Sequence, residues 1–434
     1  MARVLANSNR VTAIKDLVVS PSTGDLLLLL DRQNSAQDTR IGTTLIRIPL
    51  SGANGGTLRA VQPSSQLQQR FLGGQLALAG DTLFMLYSPI DPDAPHVRES
   101  IGRDEFHVAR FIASGGSWSL SSSWGSNGVR GYEYPLAICD NPDPYGAPCG
   151  LAATRMVYNA NDSAQLWIAG NNKGVNAQGL DDDGVFLFRV SAVNGDPDTG
   201  FGTAGWVSRK LAADPGAVES AVDLAVRQRV FFVPPNPMKT YDNDAFLLVS
   251  VARGCGNGFR VYRYNDDGSY SDNPTVDNGR SYTFGGTGSV LDCDSFHPHA
   301  MRFQALGTTG PFNNWYETGT LAIVSQRSTK VSQPPNSHTA YSAILQTLDA
   351  DGLSHQAEQS PQEIFRGVWF SNPPSDSYGF NALAWQPDLK RLLAVGGLTS
   401  ARMYSPPPTI VTTRTMLVSA LREAPLFADG FEDD

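Results

Sequence analysis

Helix formers in a 3.6-residue rhythm are almost missing from this chain. Its apolar residues alternate, or run for four to seven positions, which is strand length. Lysine is scarce, and the arginines are scattered rather than gathered in a stripe. With 33 basic against 42 acidic residues the net charge is −9. A nucleic-acid or anionic-membrane partner needs a basic surface, so neither is expected. Long hydrophobic runs are also lacking. The most apolar stretch, Leu26 to Leu30, lies between Asp25 and Asp31. It is too short to span a bilayer and reads as a buried strand. No apolar signal-peptide core opens the chain, since Met1-Ala2-Arg3 leads straight into polar residues. The expectation is a secreted, periplasmic or surface protein whose signal has been removed.

Familiar catalytic signatures are missing too. There is no Gly-x-Ser-x-Gly nucleophile elbow, no phosphate-cradling Walker loop, no His-Glu-x-x-His and no haem-attachment Cys-x-x-Cys-His. The four cysteines, Cys139, Cys149, Cys255 and Cys293, form no Cys-x-x-Cys and have no zinc-finger spacing. No cofactor is therefore expected.

What the chain does have is punctuation. Its 42 glycines and 28 prolines mark many turns between short elements. A strand–turn–strand unit recurs. It occurs at Leu17 to Asp31, Gly73 to Tyr87 (turn at Gly80-Asp81), Arg155 to Gly170 and Ala382 to Gly397, and in stretched form at Val222 to Ser250 and Ala300 to Ser325. A third alternating strand follows each copy: Thr44–Ile48, Phe106–Phe111, Val185–Val190, Phe259–Tyr264, Tyr341–Leu345 and Thr415–Ser419. A Gly/Asp turn, such as Asn194-Gly195-Asp196 or Asn265 to Gly268, then leads to a weaker fourth strand.

Six four-stranded units spaced about 60–80 residues apart predict an all-β fold, a β-propeller of six blades with seven as the alternative. A lone sheet leaves both faces and edges unsatisfied, and radial stacking buries the faces. The expected organisation is one propeller domain over 1–426 and an acidic tail over 427–434. The segment Arg3 to Asn7 is expected to pair as the missing outer strand of the last blade and close the ring.

The segment Phe188-Arg189-Val190 through Asn194-Gly195-Asp196 to Phe201-Gly202-Thr203-Ala204-Gly205 resembles the bacterial delta-sixty repeat. Arg263 to Ser269 matches the first half of that repeat. Arg110-Phe111 with Trp124-Gly125-Ser126-Asn127-Gly128 is a weaker copy, and Gln386 to Lys390 resembles its preceding hairpin. The resemblance implies a propeller and export or surface display, and no single activity. The tail Asp429-Gly430-Phe431-Glu432 is similar to a short C-terminal motif of some secreted bacterial proteins.

In such a ring, the loops between strands two and three and between blades gather where each innermost strand begins, here called the mouth face. The expected long loops there are Asp31–Arg40, Ser88–Glu105, Asn171–Asp183, Gln326–Thr339, Gly397–Thr413, Tyr132–Leu151 and Gly285–His299. Long loops on a rigid scaffold are where binding usually sits. The placement predicts disulfides Cys139–Cys149 and Cys255–Cys293, each stabilising by roughly 2–4 kcal/mol.

The richest chemical cluster is Asp292-Cys293-Asp294-Ser295-Phe296-His297-Pro298-His299. Two imidazoles and two carboxylates are a transition-metal donor set, and His-x-His on extended chain projects both rings to one side. No further ligand can be assigned, so the expectation is a binding role for Asp292, Asp294, His297 and His299, with polar loop contacts as the plain alternative. Asp181, Asp182 and Asp183, like Asp91 and Asp93, offer oxygens to calcium without the full loop spacing, or stay solvated. Trp315-Tyr316 and Trp369-Phe370 would stack on sugars or serve as core.

Three functional readings follow. The first is a secreted or surface module binding a protein or glycan through the mouth-face loops. The second is an extracellular hydrolase or lyase acting on carbohydrate or ester substrates. The third is a structural or assembly protein. Fold alone does not choose among them.

Overall fold

The computed structural model describes residues 11–20, 26–33, 41–48, 59–60, 71–89, 105–114, 117–133, 151–160, 164–172, 184–209, 218–232, 239–253, 256–269, 294–309, 315–333, 336–350, 362–367, 377–386, 391–404 and 409–422. The fold is all-β, built from antiparallel sheets that follow one another along the chain. Among the described residues no helix is long and apolar enough to cross a membrane.

Sheet I holds β1 (Val11–Val19), β2 (Leu26–Gln33), β3 (Ile41–Ile48) and β4 (Arg59–Ala60) in that order. Sheet II holds β5 (Phe71–Ala79), β6 (Thr82–Pro89) and β7 (Glu105–Ser114). Its outer strand is split into β8 (Ser117–Leu120) and β9 (Val129–Glu133), both paired with β7. Sheet III holds β10 (Leu151–Asn159), β11 (Gln165–Asn172), β12 (Gly184–Ser191) and β13 (Trp206–Arg209).

The fourth repeat gives β14 (Val218–Phe232), β15 (Lys239–Arg253) and β16 (Gly256–Tyr264). The fifth gives β17 (Asp294–Thr309), β18 (Trp315–Gln333), β19 (Asn336–Asp349) and β20 (Gln362–Gly367). These two repeats share one seven-stranded sheet, because β14 and β18 pair at Arg229↔Tyr316 and Val230↔Trp315. The last sheet holds β21 (Ser377–Gln386), β22 (Arg391–Tyr404) and β23 (Thr409–Arg422).

The chain divides into two compact units, residues 1–213 with 219–221 and residues 214–218 with 222–434. In the first, β5 packs on β1, β2 and β3, and β10 packs on β5, β6 and β7. In the second, β17 packs on β15 and β16, and β21 packs on β17, β18 and β19. Within each unit, β5, β10, β17 and β21 thus lie against strands of the repeat before them.

Period-two geometry explains the continuous apolar runs. On β6, Leu83, Met85 and Tyr87 face a core shared with Leu27, Leu29 and Leu45 of sheet I. The intervening Phe84 and Leu86 face a second core, shared with Met156, Leu166, Ile168, Phe186 and Phe188 of sheet III. A strand with a sheet on either side needs apolar residues at every position. Leu26 to Leu29 are likewise buried on both faces, as their sequence suggests. In the second unit, Phe246, Leu248, Phe259 and Val261 meet Met301, Leu321, Ile323 and Leu348.

The aromatic-Gly-x-x-Gly segments adopt one turn twice. Gly125, Asn127 and Gly128 have φ of 49°, 56° and 93°, and Gly202, Ala204 and Gly205 have 51°, 54° and 91°. The hydrogen bonds match in turn: Gly128 N–H to Trp124 O (2.8 Å) and Gly205 N–H to Phe201 O (2.9 Å), then Arg110 N–H to Gly128 O and Arg189 N–H to Gly205 O (both 2.9 Å). Trp124 and Phe201 are fully buried at the head of these turns. Each meets the aromatic ring of the second strand edge-on, Phe84 at 5.4 Å and Trp167 at 5.1 Å. An arginine guanidinium lies against each pair, Arg110 at 5.8 Å from Trp124, and Arg189 at 4.8 Å from Phe201.

Several expected loops are instead strands. The stretched fourth and fifth units are long hairpins that continue to Phe232 and Thr309 before turning. The expected loop at 326–339 is paired backbone, with β18 reaching Gln333 and β19 starting at Asn336. Likewise β22 runs to Tyr404 and β23 begins at Thr409. Polar residues such as Thr329, Ser332 and His338 read as loop by composition, yet a hairpin beyond the core can be polar on both faces while its backbone pairs fully.

Candidate functional site

The first strands of five repeats share one irregularity. A β-bulge interrupts the register with the second strand between Ile14 and Asp16, Gly73 and Gln75, Ala153 and Arg155, Pro298 and Ala300, and Phe380 and Ala382. The extra residues are Lys15, Gly74, Thr154, His299 and Asn381. A bulge leaves one residue outside the ladder and re-aims its side chain.

The residue after the bulge ties one sheet to the next. Asp16 accepts the backbone N–H of Leu17 on one oxygen and that of Leu76, on β5, on the other (2.8 Å each). Gln75 accepts the N–H of Met156 on β10 at 2.5 Å. In the second unit Asp223 accepts Leu224 N–H at 2.9 Å and Met301 N–H at 2.8 Å, and its second oxygen also takes the Arg302 guanidinium at 2.8 Å. These carboxylates are committed to structure. So is the buried triad of Asp244 with Arg227 (2.5 Å) and Arg263 (3.1 Å).

His297 and His299 lie on β17, a strand and not the loop expected from the sequence. His297 pairs with Gln326, and His299 is the bulge residue. Both are partly buried between the buried Phe296, Pro298 and Ala300. Burial pushes both imidazoles below the usual histidine value, and at His299 the nearby His297 charge adds to that. The pair is thus close together and neutral at pH 7. Asp294 opens the same strand opposite Thr329. Asp292, Asp181, Asp182, Asp183, Asp91, Asp93, Trp369, Phe370 and all four cysteines lie outside the described residues, as does the Arg3–Asn7 segment. Among the described residues no group of three or more His, Cys, Asp or Glu is gathered as a metal would require.

One titratable cluster has no forewarning in the sequence. His107 on β7 lies 3.4 Å from Glu105 and packs edge-on against the buried Tyr87 ring at 5.4 Å. Burial, and secondarily the Glu105 charge, push the Tyr87 phenol up. Gly131 pairs opposite His107, and a Cβ there would come within 2.9 Å of the imidazole Nε2. Alternation on β7 marks these residues as one face, but only pairing with Tyr87 and Gly131 joins them.

No protein-family profile and no curated protein sequence matches this chain. Among solved structures, it is similar to an α-L-arabinofuranosidase from Fusarium graminearum with an iminosugar inhibitor, at 12% identity over 94% of each chain and a TM-score of 0.41. A second structure from that organism, a GH93 α-L-arabinofuranosidase with arabinobiose, has 12% identity over 92% of this chain and 91% of that one, with a TM-score of 0.38. A xylan β-1,4-xylosidase from Bacillus halodurans has 11% identity over 96% and 84%, with a TM-score of 0.28. At this level no residue of theirs transfers to a residue here.

Proposed function

We propose that the six repeats close into a β-propeller of the delta-sixty type, exported from a bacterial cell, that binds a neutral oligosaccharide where its innermost strands begin. The observation that carries the ligand reading is the pair His297 and His299 at the bulge of β17. Each neutral imidazole offers one donor and one acceptor, the complement of a sugar hydroxyl. Farther along β17, Arg302 already pairs with Asp223, so an ionic ligand finds no free counter-charge in that pair. The repeated stacking of first strands on the preceding sheet, within each unit, is the packing a propeller uses. Export agrees with disulfides Cys139–Cys149 and Cys255–Cys293, which intact mass before and after reduction and alkylation would detect.

The test is calorimetric titration with neutral tetra- to hexasaccharides, wild type against His297→Ala/His299→Ala, with the mixtures assayed for new reducing ends. Saturable heat that the double variant loses supports the reading; no heat with any sugar ends it. A second reading, hydrolysis of the same ligand class, is favoured by one feature. An imidazole held neutral at pH 7 is ready to accept a proton. New reducing ends that the variant fails to make would establish it.

A further inference from the structure

Two polar side chains of the fifth repeat are buried in an apolar core. Ser325 on β18 is 0% exposed and Gln346 on β19 is 2% exposed. Among the described residues, the Ser325 hydroxyl and both the amide nitrogen and oxygen of Gln346 have no hydrogen-bond partner. Register places the two side chains together. Leu321 pairs with Leu348, Ile323 with Gln346 and Ser325 with Ile344. Strand alternation then puts Leu321, Ile323, Ser325, Gln346 and Leu348 on one face. On that face Ile323 and Leu348 pack with Phe246, Leu248, Phe259 and Val261 of the fourth repeat. Ser325 and Gln346 are diagonal neighbours across the strand pair. Such positions lie about 7–8 Å apart, a gap that one bridging molecule between the two side chains can span.

We propose that Ser325 and Gln346 together hold one internal water molecule in the core between the fourth and fifth repeats. A buried polar group left unmet costs more than an ordinary hydrogen bond gains, so two such groups on one face call for a shared partner. Internal waters make about three hydrogen bonds each, at places where polar groups converge. The serine hydroxyl supplies one donor and two acceptors, and the glutamine amide two donors and a carbonyl acceptor. A water donating to the glutamine oxygen can accept from the serine hydroxyl, or donate to the hydroxyl and accept from the amide nitrogen. Both side chains are neutral and buried, which suits a small uncharged ligand. The site borders the bulge of β17, since Ser325 lies opposite Pro298 and His299 follows it. It stands apart from the oligosaccharide reading, because it needs no solvent-facing group.

A crystal structure of the full chain, at a resolution that shows ordered water, tests this directly. The expected result is a density peak within hydrogen-bond distance, about 2.7–3.2 Å, of the Ser325 hydroxyl and of an amide atom of Gln346. A direct bond between the two side chains, a different protein partner for either, or an empty gap overturns the proposal. Urea midpoints of Ser325→Ala, Gln346→Leu and the double variant give a second test. With a shared water, the double variant should shift the midpoint by less than the sum of the single shifts, because it removes the whole polar site at once. Additive shifts mean that the two side chains act independently, and overturn the joint site. Near-ultraviolet circular dichroism of each variant separates lost folding from lost contact, and the wild-type crystal structure needs no variant.

Discussion

Asp223 on β14 accepts the backbone N–H of Met301 on β17 at 2.8 Å, and Asp16 on β1 accepts that of Leu76 on β5 at the same distance. An aspartate on a first strand thus ties one repeat to the next in each unit. In both places it also takes the N–H that follows it, from Leu224 or from Leu17.

Removing that carboxylate leaves a buried N–H without an acceptor. Asp223→Ala is expected to destabilise by about 1–3 kcal/mol, and Asp223→Asn by less, since an amide oxygen can still accept one bond. Urea unfolding followed by tryptophan fluorescence checks this. Equal stability in Asp223→Ala would remove the tie from any account of how the sheets are held.

Two glycines of similar φ should behave differently. Gly80 has open space where a Cβ would go, while a Cβ on Gly202 would run into the Trp206 carbonyl oxygen. Gly80→Ala should cost about 1 kcal/mol for its left-handed backbone alone. Gly202→Ala should cost more, roughly 2–4 kcal/mol, because the turn itself must move. Paired thermal melts give the comparison.

Tyr132 donates its hydroxyl to Gly195 O at 2.8 Å from a buried position. Tyr132→Phe keeps the ring in its aromatic cluster and removes this one bond. The expected loss is about 1 kcal/mol. Tyr132→Ala also empties the space beside Phe106 and Phe188, and should cost about 3–5 kcal/mol. Denaturant midpoints for both variants separate hydroxyl from ring.

The two histidines of β17 make stability depend on pH with a definite sign. Their folded-state values lie below the unfolded value of 6.5, so the unfolded chain binds the protons first. Their contribution is fully present above about pH 6.5 and is lost as pH falls through the lower folded values. The melting temperature of wild type should fall faster between pH 7 and pH 5 than that of His297→Gln/His299→Gln. Parallel curves would contradict the shift.

Strand rhythm was legible because period two is local: each predicted third strand, such as Val185–Val190, lies inside an observed one. The aromatic-Gly-x-x-Gly turn was legible for a similar reason, since four of the six positive-φ positions in its two copies are Gly and a fifth is Asn. The long hairpins of the fourth and fifth repeats were not, because Thr329 to Gln333 are mostly polar in sequence although their backbone pairs. At the candidate site, the sequence was read as loop up to His299, whereas His297 and His299 lie on β17. The bulge that sets His299 apart was hidden, because a one-residue register shift depends on the partner strand and not on the residue itself. Tyr87, Glu105, His107 and Gly131 met only through cross-strand pairing, which no local signal encodes.

The pairing of Arg229 with Tyr316 and Val230 with Trp315 makes the fourth and fifth repeats a single sheet. In amide hydrogen exchange they should therefore behave as one cooperative opening unit, with the amides of β15 and β18 exchanging at a common rate under denaturant. A backbone nick between 270 and 293 should leave the two halves associated, since the junction does not run through that segment.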